Sequence, residues 1–308
     1  MINAFIAPPK LQIGDQVAIV AISGPVLPEP ILRAQAILEQ WGLRVLIGRH
    51  CFDQEGVFAG SDTNRLSDFQ SVLNSAEIKA VFFARGGYGA TRILDQVDFS
   101  SLMESPKWLI GFSDLTAIHL QMCCLGVQSL HAVMPNSFER EGGERALKSL
   151  KTALFDQLMC LEAPAHQANV NGVVNGRLIG GNLSLIVHSI GTASFPDFTG
   201  AILFIEDLDE QLYHLDRMMV QLKRAGVLSK ISGLIIGQFS DMKQGRFTFG
   251  QCAEEIIKAH VSEYAIPISV GLPIGHEADN WAVACGAEAI LEVSEQGTKL
   301  SFVSEDLP

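Results

Sequence analysis

Positive charge is scarce in this chain. Its 308 residues include 22 Lys and Arg against 34 Asp and Glu, which gives a formal net charge of −12 at pH 7. Proteins that bind nucleic acid usually carry a basic patch or stripe, whereas the charges here are dispersed with an acidic excess. The composition therefore argues against a nucleic-acid partner and leaves room for a small anionic substrate that individual arginines bind.

Paired cysteines are also missing. The chain has 6 cysteines, and none shows the spacing of a metal site, because the nearest two, Cys123 and Cys124, are adjacent. The others are Cys51, Cys160, Cys252 and Cys285. We expect free thiols in a reducing compartment, with neither a disulfide framework nor a metal.

Long hydrophobic runs are absent too. No apolar stretch reaches the roughly 18 residues that a membrane-spanning helix requires. The N-terminal segment also lacks the basic start and apolar stretch of a secretory signal. We therefore expect a cytoplasmic protein without a membrane partner. A chain of 308 residues that is 48% hydrophobic is expected to form two domains.

Short apolar segments alternate with helical patterns in the first half of the chain. Strands are predicted at 16–22, 43–47, 80–84 and 108–112, and helices at 29–41, 62–73 and 114–125. Strands that alternate with helices indicate a parallel sheet with helices on its faces. The first half is therefore predicted to be a doubly wound α/β domain, which we place at residues 1–137.

A second domain is predicted after a charged and irregular connection. Residues 138–175 contain the charged stretch from Glu139 to Glu144 and one helical pattern, and we interpret them as a linker. The C-terminal domain is placed at residues 176–308. Its strands are predicted at 176–179, 201–205, 233–236 and 268–270, its helices at 182–190, 212–225 and 249–259, and a hairpin at 289–303.

Ser113 follows a predicted buried strand and precedes a predicted helix. Parallel sheets bind ligands at the carboxyl ends of their strands, and N–H groups at a helix N-terminus stabilise an oxyanion there. The sequence Gly111-Phe112-Ser113-Asp114 resembles a nucleophile elbow, although Leu115 stands where the pattern G-x-S-x-G has its second glycine. Ser113 is therefore a candidate nucleophile, and a helix cap is the alternative.

A glycine-rich run, Arg85-Gly86-Gly87-Tyr88-Gly89, follows another predicted strand. Its spacing matches neither the P-loop nor the dinucleotide fingerprint, so a phosphate-binding loop is not predicted. Glycines at a strand end let the backbone approach a ligand closely. We interpret the run as a source of oxyanion-hole N–H groups and as a wall of the substrate site, with an ordinary tight turn as the alternative.

A carboxylate and a histidine follow predicted strands in the second half. Glu206 ends the strand at 201–205, and a buried carboxylate there needs a partner. His276 lies in a loop beyond the strand at 268–270, and histidine is the usual general base at neutral pH. An exposed strand end and a surface-loop histidine are the alternatives. The order Ser113, Glu206, His276 is compatible with that of an α/β-hydrolase.

Together these segments resemble the LD-carboxypeptidases, a serine peptidase family that also includes the microcin C immunity proteins. The resemblance runs nearly end to end. It is carried by Pro8-Pro9-Lys10-Leu11, Gly14-Asp15, Arg85 to Gly89, Gly111 to Asp114, Gly180-Gly181-Asn182-Leu183-Ser184, Ile205-Glu206-Asp207, Asp216-Arg217 and Gly275-His276. Each segment alone is weak, but the ordered set at these distances is highly specific.

The resemblance implies a fold, an assembly and a set of site residues. It implies an α/β fold, with a flavodoxin-like N-terminal domain that contains a parallel sheet and a smaller C-terminal β-rich swivelling domain. It implies a homodimer with the active site at the domain interface, and neither a metal nor a cofactor. Ser113 is carried over as the nucleophile, His276 as the base, and Glu206 as the carboxylate that orients the base.

The implied activity is removal of the terminal D-alanine of a murein tetrapeptide in peptidoglycan recycling, by hydrolysis of its amide to an L-centre diamino acid. The N–H of Asp114 and one from Gly86 or Gly87 are the candidates for the oxyanion hole, and Arg85 is the candidate for the substrate's terminal carboxylate. One alternative is an amide hydrolase of peptidyl-nucleotide antibiotics, for which Trp281 is a candidate aromatic platform. Another is a non-catalytic two-domain binder of small ligands.

Overall fold

A computed structural model of the protein describes residues 5–303, so residues 1–4 and 304–308 of the predicted domain ranges lie outside it. The helices are α1 (Pro28–Gln40), α2 (Asp62–Asn74), α3 (Ala90–Leu94), α4 (Ser101–Glu104), α5 (Thr116–Leu125), α6 (Glu144–Phe155), α7 (Leu183–His188), α8 (Leu212–Arg224) and α9 (Ala253–Val261). The strands are β1 (Gln16–Val20), β2 (Arg44–Ile47), β3 (Ile78–Phe83), β4 (Trp108–Gly111), β5 (Ser129–His131), β6 (Leu161–Pro164), β7 (Gly172–Asn182), β8 (Ile202–Leu208), β9 (Gly233–Ser240), β10 (Ile268–Val270), β11 (Val283–Cys285), β12 (Glu288–Ser294) and β13 (Gly297–Phe302). None of the helices within the described range has both the length and the apolar character needed to cross a bilayer.

The first sheet has six strands in the order β11-β5-β4-β3-β1-β2. Its five N-terminal strands are parallel, and β11 pairs antiparallel with β5 at one edge. Alternation along β1 sends Val17 and Ile19 to one face and Ala18 and Val20 to the other, and each pair joins a different hydrophobic cluster. Both faces are therefore buried, as expected for a doubly wound sheet.

The second sheet has seven strands in the order β10-β9-β8-β7-β12-β13-β6. The strands β10, β9, β8 and β7 are parallel to one another, and β12, β13 and β6 continue the sheet in antiparallel pairs. Leu215, Met219 and Leu222 of α8 share a buried cluster with Ile256 and Ile257 of α9 and with the strands. The apolar stripe of α8 is therefore core packing.

The fold class predicted from the sequence is confirmed. A largely parallel sheet lies in the N-terminal part of the chain, and a second, β-rich sheet follows it. Most predicted elements are present with ends shifted by a few residues, and β12 and β13 form the predicted hairpin. The helix predicted at 114–125 differs, because Ser113–Leu115 form a 3₁₀ turn before α5 begins at Thr116.

The segment between the two halves is not an extended connection. Within 138–175, α6 packs through Ala146 and Leu150 on a cluster of the first sheet, and β6 joins the edge of the second sheet. In the opposite direction, β11 of the C-terminal half joins the edge of the first sheet. The halves are therefore interlocked, and the division into 1–137, 138–175 and 176–308 stays a prediction.

Candidate active site

Ser113 lies at the sharp turn between β4 and α5. Its backbone has a φ of +64°, in the left-handed region that residues other than glycine rarely occupy. Phe112 before it is extended, and the turn Ser113–Leu115 leads directly into α5. Strain of this kind costs about 1–3 kcal/mol, and it persists where the surrounding structure fixes it. The half-buried Ser113 is thus held at the carboxyl edge of the first sheet.

Gly86 packs directly against the Ser113 side chain. A Cβ atom on Gly86 would lie 2.9 Å from Ser113 Cβ and 3.1 Å from Ser113 Oγ, which is too short for an ordinary contact. The loop that follows β1 holds the run Arg85–Gly89, because the Gly86 carbonyl accepts a 3.0 Å hydrogen bond from the N–H of Gly24. Within residues 5–303, the N–H groups of Gly86 and Gly87 donate to no backbone carbonyl.

Asp114 joins the nucleophile turn to the two loops beside it. Its carboxylate is buried and accepts hydrogen bonds from Ser23 Oγ at 2.6 Å and from the N–H of Ala90 at 2.8 Å. Burial raises the pKa of Asp114, and these two hydrogen bonds act in the opposite direction. The sequence predicts only a backbone N–H for this residue, and the structure adds a side chain that fixes the turn.

Arg65 is a residue of the site that the sequence pattern does not predict. Its side chain is wholly buried, and its guanidinium donates to Asp62 and to the carbonyl oxygens of Ile22 and Gly89. Gly89 has a φ of +143°, and a Cβ atom there would lie 2.6 Å from the Arg65 guanidinium. Arg65 thus holds the end of the glycine-rich run beside β1. The sequence gives little signal for this role, because an arginine in an amphipathic helix is expected to be exposed.

Arg85 lies on the rim of the first sheet's carboxyl edge. Its side chain is exposed and donates to the carbonyl of Pro25 at 3.1 Å, beside Gly24. Its contacts within residues 5–303 include neither Ser113 nor His276. The structure therefore places Arg85 near the glycine-rich run but does not bring it to the nucleophile.

Glu206 and His276 form a carboxylate–imidazole pair. The Nδ1–H of His276 donates to Glu206 Oε2 at 2.5 Å, and the Glu206 side chain is wholly buried while that of His276 is 11% exposed. Glu206 lies on β8 where the pairing with β9 is irregular, between Ile205 and Asp207. Such irregularities redirect side chains. A carboxylate on Nδ1 fixes the tautomer in which Nε2 keeps its lone pair.

The loop of His276 is held by side chains on both sides of the histidine. The N–H of Gly275 donates to Asn280 Oδ1 at 3.1 Å, and the N–H of Glu277 donates to Gln238 Oε1 at 2.9 Å. Gly275 has a φ of +149°, and a Cβ atom there would lie 2.7 Å from Gln238. The imidazole is therefore presented from a loop whose path requires glycine.

The structure brings His276 next to the nucleophile turn without a hydrogen bond to Ser113. The imidazole meets the ring of Phe112, the residue before Ser113, edge-on at a centroid separation of 4.9 Å. His276 Nε2 is buried and has no hydrogen-bond partner among residues 5–303. Buried polar atoms without a partner are uncommon in proteins, and a catalytic role is one explanation for them. Glu206 and His276 thus form a pair, and its imidazole contacts the residue that precedes the candidate nucleophile.

Further hydrogen bonds join the helix after Ser113 to the strand of Glu206. The N–H of Asn182 donates to Thr116 Oγ1 at 2.9 Å, and Asn182 Nδ2 donates to Asp207 Oδ1 at 2.8 Å. Asn182 also faces Glu206 in the register of β7 and β8. Burial, and secondly the charge of Glu206, raise the pKa of Asp207 to about 6. Buried side chains therefore connect the two halves of the site.

Two buried histidines lie beside β4, His119 on α5 and His131 on the neighbouring strand β5. The ring nitrogens of His119 lie 2.8 Å from the Gly111 carbonyl and 2.8 Å from Ser129 Oγ, and burial lowers the pKa of His119 to about 4. Because the carbonyl only accepts, Nε2 of His119 carries the proton. The ring of His131 lies 5.8 Å from that of Phe112, and burial lowers the pKa of His131 well below its usual value. Both imidazoles are therefore neutral at pH 7.

Trp281, the candidate aromatic platform, already has partners on its ring. Trp281 donates from Nε1 to Asp279 Oδ1 at 2.7 Å, and the Arg145 guanidinium lies 5.5 Å from its ring centroid. The ring is therefore partly covered already. Within the described part of the chain, no group of three or more His, Cys, Asp or Glu side chains is arranged to hold a metal ion.

Comparison with known proteins identifies the family. The LD-carboxypeptidase N-terminal domain matches residues 17–132, and the LD-carboxypeptidase C-terminal domain matches residues 175–291. A probable murein peptide carboxypeptidase of Bacillus subtilis is 32% identical over 297 residues, which cover 94% of this chain and 92% of that protein. The similarity thus extends over nearly the whole of both chains.

Solved structures share the fold. A muramoyltetrapeptide carboxypeptidase from Oxalobacter formigenes matches with a TM-score of 0.86 and 30% identity, over 94% of this chain and 99% of that one. A microcin C7 self-immunity protein in complex with aspartyl sulfamoyl adenosine matches with a TM-score of 0.86, over 99% of this chain and 100% of that one, but its 19% identity supports the fold alone. The two domain matches and the full-length relatives show that this chain belongs to the LD-carboxypeptidase family of serine peptidases.

Proposed function

We propose that this protein is a serine carboxypeptidase of peptidoglycan recycling, which hydrolyses the amide between an L-centre diamino acid and the terminal D-alanine of murein tetrapeptides. The observation that carries the proposal is the Glu206–His276 pair, whose ring lies against Phe112, next to the strained Ser113. The likeness to a probable murein peptide carboxypeptidase and to a solved muramoyltetrapeptide carboxypeptidase supports the choice of substrate.

The first chemical step is attack of Ser113 Oγ on the scissile carbonyl carbon. His276 Nε2 takes the hydroxyl proton while Glu206 holds Nδ1–H and stabilises the imidazolium. The tetrahedral intermediate then collapses, the amide bond breaks, and His276 returns the proton to the D-alanine nitrogen. Water, activated by the same imidazole, releases the shortened peptide. Catalytic hydrogen bonds often form only with substrate bound, and we expect Oγ and Nε2 to meet at that stage.

The oxyanion of the intermediate is assigned to backbone N–H groups. The N–H of Asp114 belongs to the first turn of a helical segment, where such groups have no intrahelical partner. A second donor comes from Gly86 or Gly87, whose N–H groups make no backbone hydrogen bond within residues 5–303. Loss of one such donor typically costs about 3–4 kcal/mol of transition-state stabilisation.

Arg85 is proposed to bind the terminal carboxylate of the D-alanine. Its position beside Gly24 at the rim supports this role, because Gly24 also contacts Gly86. One guanidinium N–H is donated to the Pro25 carbonyl, and the fork offers further donors to a carboxylate. Arg85→Gln is expected to raise KM more than it lowers kcat.

Mass analysis of monomeric murein tetrapeptide after incubation with the protein tests the function. The wild type should remove one alanine, and Ser113→Ala should lose about four orders of magnitude in turnover while it keeps its fold. No release by the wild type, or release by Ser113→Ala at the wild-type rate, would sink the proposal. A peptidyl-adenylate substrate in a parallel arm separates this activity from amide hydrolysis of peptidyl-nucleotide antibiotics.

We also propose that the protein acts in the cytoplasm as a homodimer. The free thiols of all six cysteines fit a reducing compartment. The dimer follows from the family resemblance in sequence. Light scattering of the purified protein should therefore give twice the mass of one chain, and the mass of a single chain at micromolar concentration would contradict the dimer.

A further inference from the structure

Arg140 connects the first half of the protein directly to His276. Its Nη1 donates a 2.6 Å hydrogen bond to the His276 backbone carbonyl, across 136 positions of sequence. The N–H groups of the two neighbouring loop residues, Gly275 and Glu277, donate instead to side-chain oxygens, those of Asn280 in the loop itself and Gln238 on β9. Arg140 therefore supplies a contact to the histidine from the segment that packs on the first sheet, the sheet that precedes Ser113.

Arg140 is itself exposed, but the chain just before it is anchored in the core of the first half. Phe138, two residues earlier, is 5% exposed, and its ring lies 6.3 Å from that of Phe82 on β3 and 6.4 Å from that of Trp41 after α1. A turn closes the backbone between them, because the N–H of Arg140 donates to the Ser137 carbonyl at 3.1 Å. Because the backbone is anchored at Phe138, the guanidinium of Arg140 can move only a limited distance relative to the first sheet.

The same segment follows the His276 loop further along. Arg145 forms an ion pair with Asp279, and Ser149 Oγ accepts a 2.9 Å hydrogen bond from the N–H of Ala282. These contacts hold the end of the loop. Arg140 differs from them because its partner is the backbone of the histidine itself.

We propose that Arg140 is a positioning residue that sets the distance between His276 and Ser113. The inference rests on the proposed function, in which His276 pairs with Glu206 of the second half and takes a proton from Ser113 of the first. The imidazole must therefore be correctly placed relative to Glu206 in one half and Ser113 in the other. A hydrogen bond from a charged donor is shorter and stronger than a neutral one, and a small displacement of a catalytic group lowers the rate strongly.

Arg140→Met tests the role, because methionine keeps an apolar stem but cannot donate. On murein tetrapeptide, kcat is expected to fall about 10-fold while KM changes less than about 2-fold, since Arg140 holds the base and not the substrate. Arg140→Lys should recover most of kcat, because an ammonium can donate to the His276 carbonyl. Arg44→Met is the matched control, since Arg44 is likewise exposed and donates to a backbone carbonyl, that of Gly14, but shows no contact with the His276 loop within residues 5–303.

Proton NMR gives a readout that does not depend on turnover. The proton between His276 Nδ1 and Glu206 should give a low-field resonance in the wild type, which should broaden in Arg140→Met and persist in Arg44→Met. If the wild type shows this resonance but does not cleave murein peptides, the proposed function is wrong. The spectra of the variants would still test the positioning role of Arg140. Wild-type kcat and an unchanged resonance in Arg140→Met would overturn the inference. A loss of kcat that Arg140→Lys does not recover would also overturn it.

Discussion

At the level of single residues, the candidate nucleophile has a strained backbone. Ser113 adopts a φ of +64°, and the close approach of Gly86 leaves its side chain little room. Hydrogen bonds to the Asp114 carboxylate from Ser23 and Ala90 hold the turn in place. The turn that presents Ser113 is therefore held by residues that lie far from it in sequence.

The strain predicts an unusual order of stability among variants. Ser113→Gly is expected to exceed Ser113→Ala in free energy of unfolding by about 1 kcal/mol, because glycine adopts positive φ without a Cβ conflict. Urea denaturation of the two variants measures the difference. Equal stability, or a more stable alanine variant, would show that the backbone of Ser113 is not strained.

Contact between Gly86 and Ser113 predicts a loss of rate. Gly86→Ala would press a methyl group against Ser113 Cβ and Oγ, and kcat is expected to fall about 100-fold as the hydroxyl is displaced. Gly245→Ala is the control, because its added Cβ would lie 3.7 Å from the Tyr213 ring, an ordinary contact. Steady-state kinetics measure kcat for both variants. Equal kcat values would show that the contact between Gly86 and Ser113 does not matter for the rate.

At the scale of elements, His119 joins α5 to β4 and β5. Because burial lowers the pKa of His119 to about 4, against an ordinary value near 6.5, the unfolded chain binds a proton that the folded chain does not. Its contribution to stability is therefore full above pH 6.5 and is lost as pH falls towards 4. The loss is expected to reach about 3 kcal/mol.

Denaturation at several pH values measures this effect in the wild type and in His119→Gln. Glutamine can donate to the Gly111 carbonyl and accept from Ser129 but does not titrate. The difference between the two proteins should therefore change between pH 6.5 and pH 4. Parallel curves over this range would show that His119 is not held neutral by burial.

The hydrogen bond between Thr116 and Asn182 is expected to stabilise the contact between the two halves. Thr116→Val keeps the shape but removes the acceptor for the buried N–H of Asn182, and the free energy of unfolding is expected to fall by about 1–3 kcal/mol. Thr116→Ser retains the hydroxyl and should lose less. Thermal or urea unfolding compares the variants, and a valine variant as stable as the wild type would argue against the link.

The main elements could be predicted from the sequence because their periodicity is local. The short strands β6 and β11 and the helices α3 and α4 were not predicted, since a few residues carry too little pattern to identify an element. Ser113, Glu206 and His276 were candidates because each follows a predicted strand. The roles of Arg65 and Arg140 could not be foreseen, because they depend on carbonyl groups of other loops.

At the scale of the molecule, the two halves exchange elements and contacts. The strand β11 completes the first sheet, and α6 packs on the first sheet's core after the chain has left it. Side-chain contacts from Thr116 and Arg140 cross between the halves at the site. A swivel of one half against the other would therefore have to break these contacts, and with them the placement of His276.

Ser113 of the first half is proposed to act as one unit with the Glu206–His276 pair of the second. The rate at which a fluorophosphonate modifies the folded protein, with the modified residue identified by mass spectrometry, tests this cooperation. The wild type should be modified at Ser113, and His276→Ala should react at least about 100-fold more slowly. Modification of His276→Ala at the wild-type rate, or of another residue in place of Ser113, would show that Ser113 and His276 do not act together.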